Sequence, residues 1–191
     1  MNGNVQQKSL SRASQTSLNT AKVLEVTLLF LAGVLAIVLH ERLRNPIGIP
    51  GHHGLEFMAI ILAARLSSKI KWAASISALG IGIFILFPVL GFKDPMMGFN
   101  YMLPCFFMDM AYNFVPAKKY RNIMLIVAAG LGYLMIPLSR MMVTLFTNYP
   151  YSSFLKYGFV TPLATFLLFG ILGGLLGTGI YKIGKKLFNK K

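Results

Sequence analysis

Apolar and polar positions along this chain come in long blocks rather than in alternation. Six apolar stretches stand out, Val23–His40, Leu55–Leu66, Ala73–Leu90, Gly98–Val115, Ile123–Phe146 and Phe159–Tyr181. A bilayer core needs ~20 apolar residues per helical crossing, so most of these runs predict membrane-spanning helices. The second is short for a crossing. It reaches Ile70 only if Arg65 snorkels, and part of the preceding loop is expected to dip into the bilayer. That loop, ERLRNPIGIPGHHG (Glu41 to Gly54), carries two prolines and three glycines and cannot continue a helix. Further breaks are SSKIKW, GFKDPMMG with its Asp94-Pro95 pair, VPAKKYRN, and the tyrosine-rich TNYPYSSFLKYG, whose aromatic residues suit a membrane interface. The first 22 residues are polar and precede a run with no small-residue cleavage site. The expected organisation is a flexible cytoplasmic tail over 1–22, a six-helix transmembrane domain over 23–184 and a basic cytoplasmic tail over 185–191.

Composition sharpens this into an all-α integral membrane protein. Of 191 residues, 55% are hydrophobic and only 13% charged, against roughly 25% charged in soluble domains. The net charge of +14 would suggest nucleic acid in a soluble protein. Here the basic residues flank the apolar runs, so anionic lipid headgroups are the expected partners and nucleic acid is not. With six crossings, 14 of the 19 Lys and Arg fall on the face that holds both termini. That bias places the termini in the cytoplasm of a multi-pass cell-membrane protein. Cys105 is the only cysteine, which excludes an intrachain disulfide and a Cys-based metal site.

The fourth run contains Asp109, and a carboxylate at membrane depth costs an estimated ~2.5–3.5 kcal/mol. Counting ~1.5 Å per residue puts it near mid-membrane, with Arg140 of the fifth run ~10 Å further out. A kink at Pro137 would bring the two together; otherwise Arg140 faces an outer vestibule. Pro104, Pro137 and Pro162, one in each of the last three runs, each free a backbone carbonyl and favour a polar cavity. Asn100, Tyr101, Asn148, Tyr149 and Tyr151 would sit at its outer mouth, suiting a small, flat, polar molecule. Asp109 would favour a cationic or donor-rich one. His40, Glu41, His52, His53 and Glu56 form a second cluster with three readings: a solvated loop, substrate contact from a lid, or a metal set in His52, His53 and Glu56. HHxxE is not the HExxH of metalloproteases and fixes no third ligand. No nucleotide-binding loop, nucleophile elbow or paired catalytic carboxylates are present, so neither enzymatic activity nor a cofactor is expected. Small residues line up at Ala32/Ala36, at Ala74/Ala78/Gly82 and in two registers, Gly170/Gly174 and Gly173/Gly177. Each is a face that allows close helix approach.

The six helices, cytoplasmic termini, long outer loop after helix one and Ala32-xxx-Ala36 resemble the substrate-binding S component of energy-coupling factor (ECF) transporters. The resemblance implies that Ala32 and Ala36 dock on a transmembrane coupling protein driven by separate cytoplasmic ATPases. The first outer loop and helices four to six would enclose a vitamin or similar micronutrient. His52, His53, Glu56, Asn100, Tyr101, Asp109, Arg140 and Asn148 are then candidate substrate contacts. Two other readings stand beside it: a transition-metal uptake component built on His52, His53 and Glu56, and a non-transport membrane assembly protein.

Overall fold

The computed structural model describes residues 3–43, 48–87, 96–115 and 120–188, with side chains from residue 18 onward. These residues form seven helices and no strand: α1 (Gly3–Arg42), α2 (Gly54–Ser67), α3 (Ala73–Ile85), α4 (Met97–Phe114), α5 (Arg121–Thr147), α6 (Ser152–Tyr157) and α7 (Val160–Phe188). The described residues are all-helical, and among them three helices are long and apolar enough to cross a membrane: Leu18–Arg42 of α1, α5 and α7. Helix α1 starts at Gly3, so no break in the helix marks the boundary expected at residue 22. The six-residue α6 is an addition, formed inside the second tyrosine-rich loop. Helix α3 ends at Ile85, and the turn expected at Asp94-Pro95 lies outside the described residues.

Helices α1, α3, α4, α5 and α7 follow one another around an arc, each packed on the next apart from α7 and α1, and α2 fills the middle. That position explains how so short a helix serves. Phe57, Met58, Ile61 and Leu62 of α2 are fully buried among its neighbours, and its 14 residues need not meet lipid along their length. Outward-facing leucines such as Leu24, Leu28, Leu31, Leu168 and Leu175 give the outer helices an apolar exterior suited to acyl chains.

Small residues set the spacing. The two glycine registers of α7 serve two partners. Gly170 and Gly174 lie against Gly130, Ala129 and Ile126 of α5, while Gly173 and Gly177 lie against the backbone of Gly54, Leu55 and Ala59 in α2. A Cβ on Gly177 would stand 2.5 Å from the Ala59 carbonyl oxygen, closer than atoms pack. Helices α1 and α3 cross in the same way, Gly33 against Ser77 and Gly80 against Phe30, with the Ser77 hydroxyl donating to the Leu29 carbonyl at 2.8 Å.

Two expectations about faces change here. Ala36 is fully buried in the core, so it does not share a free docking face with Ala32. Ala32 instead borders an open, mostly apolar groove with Leu28 of α1, Ile60, Ala63 and Ala64 of α2, and Ile180 of α7. Pro162 falls in the first turn of α7, where its missing N–H costs nothing. Among the described residues, only Pro104 and Pro137 interrupt helix interiors.

Candidate functional site

Asp109 belongs to the end of the bundle where α2 finishes and α3 begins. It is fully buried, and Arg65 Nε lies 2.7 Å from its Oδ1. Its carboxylate also accepts the backbone N–H of Ala74 at 3.2 Å and of Ser75 at 2.6 Å, and the Ser75 hydroxyl at 2.7 Å. Helix α3 has no capping side chain of its own. A carboxylate from α4 therefore fills the first-turn donors that any helix leaves unpaired, and its charge opposes the positive end of the helix dipole. Arg65 does not snorkel. It is 1% exposed and donates to the carbonyls of Ser68 and Lys71, and its guanidinium lies 3.5 Å from the centre of the Tyr112 ring. Of the two alternatives for Asp109 and Arg140, the direct pair is not formed: Asp109 pairs with Arg65 instead, and its carboxylate is committed to holding α2, α3 and α4 together. It leaves the set of ligand contacts.

The opposite end gathers most of the other candidates. His40, near the C-terminus of α1, places Nε2 2.6 Å from the Tyr101 hydroxyl of α4. Its ring lies 4.9 Å from that of His53, which in turn lies 3.8 Å from that of His52. His53 Nδ1 is 2.8 Å from Glu56 Oε1, and His52 Nδ1 is 2.7 Å from the Ile49 carbonyl. Asn100 Oδ1 accepts from Ser139 of α5 at 2.7 Å. Arg140, the next residue, lies within electrostatic range of His40 and Tyr133, and 5.5 Å from the centre of the Tyr151 ring. Phe57, Tyr101, Tyr133 and Phe166 supply aromatic walls, the last two stacked at 4.8 Å.

Within this cluster, polar atoms are buried without partners. Asn100 and Tyr133 are not exposed at all. Yet Asn100 Nδ2 and the Tyr133 hydroxyl lack hydrogen-bond partners, as does His52 Nε2. Each such atom costs about 1–3 kcal/mol unless something satisfies it. The helix prolines act on the same residues. A proline removes the N–H that would bond to the carbonyl four residues earlier. For Pro104 that carbonyl belongs to Asn100, and for Pro137 to Tyr133.

No protein-family model, curated protein or solved structure matches this chain. The geometry has to carry the reading.

His52, His53, Glu56, Asn100, Tyr101 and Arg140 are thus brought to one end of the bundle. Asn148 is not among them. It takes the left-handed conformation (φ 55°) that terminates α5, and it is exposed. Among the described residues, no group of three His, Cys, Asp or Glu side chains is placed to hold a metal ion. Sequence reasoning missed Tyr133, Ser139 and Phe57. The signal for Tyr133 was available, since it stands four residues before Pro137, as Asn100 stands before Pro104.

Proposed function

We propose that this protein is a membrane-embedded capture subunit that binds a small micronutrient from outside the cell. One observation carries the reading: Asn100 of α4, Tyr133 of α5 and His52 beside the start of α2 each present a buried polar atom with no hydrogen-bond partner in the protein. A bound small molecule with matching polar atoms would satisfy them, and the aromatic walls suit a flat one.

Six crossings are the arrangement that supports this best, through α1, α2, α3, α4, α5 and α7, with both termini cytoplasmic. The basic residues then collect at the Asp109 end, and the cluster opens outward. As in S components of ECF transporters, uptake would need a coupling protein driven by separate ATPases. Its docking face here would be the groove that Ala32, Ala63 and Ala64 border, where neither α1 nor α7 covers α2. A metal-uptake role is the second reading. It is favoured by the Nδ1 contacts of His52 and His53, which are the contacts that orient metal-binding imidazoles. The want of a three-ligand group among the described residues weighs against it.

Native mass spectrometry of the protein released from membranes tests the proposal. The expected result is a retained small molecule, diminished in Asn100→Leu. A folded protein that neither retains nor accepts any small molecule would leave the assembly-protein reading in its place.

A further inference from the structure

We propose, independently of what the cluster binds, that the groove between α1 and α7 holds a phospholipid with a primary-amine headgroup, its ammonium on Glu25. The groove measures about 580 Å³, within the ~300–1,000 Å³ of clefts that hold small ligands. Its floor is α2, and its walls belong to two helices long and apolar enough to cross a membrane, α1 and α7. In a bilayer such an opening fills with acyl chain wherever no protein covers it, since lipid tails are as apolar as leucine. The lining sorts by height. Leu28, Ala32, Ile60, Ala63 and Ala64 are apolar, whereas Glu25, Ser67 and Ser68 lie together at one end, where α2 finishes beside the early part of the α1 span. From Ala21 to Ala32 the groove follows eleven residues of helix, or ~16 Å, about half of a ~30 Å hydrocarbon core. Exposed Trp72, with Lys71 Nζ 5.6 Å from its ring centre, marks the polar end as the membrane surface. The groove thus has the length of one leaflet and polar groups at its surface end alone, as a phospholipid has.

Charge at that end selects the headgroup. Glu25 is half-buried, and its Oε1 accepts the Ser68 hydroxyl at 2.6 Å. Among the described residues no Lys, Arg or His side chain forms an ion pair with it. A carboxylate inside a membrane-spanning helix calls for a counter-charge. A primary ammonium brings that charge together with N–H donors, in a charge-assisted hydrogen bond. Lys22 beside Ala21, Lys69 beside Ser68 and Lys182 two residues beyond Ile180 are all exposed, one next to each helix that borders the groove, and suit the lipid phosphate. Every phospholipid offers that phosphate. A glycerol headgroup adds no cation for Glu25, and a choline headgroup adds the charge without an N–H. The ethanolamine type adds both. A coupling protein docking on this face would displace the lipid.

The test is native mass spectrometry of the full-length protein, released from nanodiscs holding equal parts of phosphatidylethanolamine, phosphatidylcholine and phosphatidylglycerol with identical acyl chains. One ethanolamine lipid is expected to stay bound, favoured about tenfold over either of the others, the ratio that one charge-assisted hydrogen bond implies. In Glu25→Gln the preference over the choline lipid should fall to near parity. In Ala63→Phe, which fills the groove, retention of all three should fall. The comparison of lipids on the unaltered protein stands even if a variant folds poorly. Equal retention of the choline or glycerol lipid, an ethanolamine preference that survives Glu25→Gln, or no bound lipid at all overturns the proposal. Each of these results leaves the capture reading to its own experiment.

Discussion

The Arg65–Asp109 pair shows how a single side chain can mislead when read alone. A carboxylate in an apolar helix is expensive, and that expense is visible in the sequence. What it is spent on depends on which helix end lies opposite, and spacing along α4 does not reveal that. Breaking one partner of a buried pair strands the other. Asp109→Asn is therefore expected to destabilise the protein by about 3–5 kcal/mol, measured by denaturant unfolding in micelles. Arg65→Met combined with Asp109→Leu should cost less than the two single changes summed. Tyr133→Phe should behave in the opposite way. It removes a buried hydroxyl that has no partner, so the empty protein should gain about 1 kcal/mol in stability while ligand retention falls. A loss of stability in that variant would show that the hydroxyl already has a partner within the fold. His52, His53, Asn100, Tyr101 and Arg140 were legible for the same reason that Asp109 was. They are polar residues at the ends or within the depth of apolar helices, where each needs an explanation.

At the scale of helices, the small-residue registers were readable but their partners were not. Two GxxxG spacings on α7 announce two close approaches, and only the fold shows that one meets α5 and the other α2. The same limit applies to Ala32 and Ala36. They share a spacing of four, yet the packing of α1 on α2 and α3 buries one and leaves the other beside a groove. Glycines that look alike in sequence should therefore respond differently. Gly177→Ala forces a methyl group against the Ala59 carbonyl and is expected to cost about 1–3 kcal/mol. Gly179→Ala, with nothing within 4 Å of its Cβ, should be neutral or stabilise by up to about 1 kcal/mol, since alanine is the better helix former. Thermal melts of the two variants side by side check the contrast.

For the whole molecule, the all-helical class and its membrane-crossing helices were legible, because long apolar runs admit few other structures. The central placement of α2 was not, since a short apolar run reads the same whether helices or lipid surround it. Cys105 is fully buried, so cysteines introduced elsewhere can report the orientation of the chain. Lys156 and Lys185 are both exposed. Lys156→Cys should react with a membrane-impermeant maleimide in intact cells, and Lys185→Cys only after permeabilisation. The reverse pattern would invert the proposed topology and turn the cluster towards the cytoplasm.

Helix α7 approaches α2 and α5 closely at four glycines, Gly170 and Gly174 against α5 and Gly173 and Gly177 against α2, and the stacked Tyr133 and Phe166 rings fill the space beside them. These three helices form a rigid wall behind the cluster, and prising them apart would break contacts along most of their length. If the cluster captures a ligand as proposed, the way in falls to the loops above. Tyr157, the last residue of the short α6, donates its hydroxyl to the carbonyl of Gly48, fastening one loop at this end of the bundle to the other like a latch across a threshold.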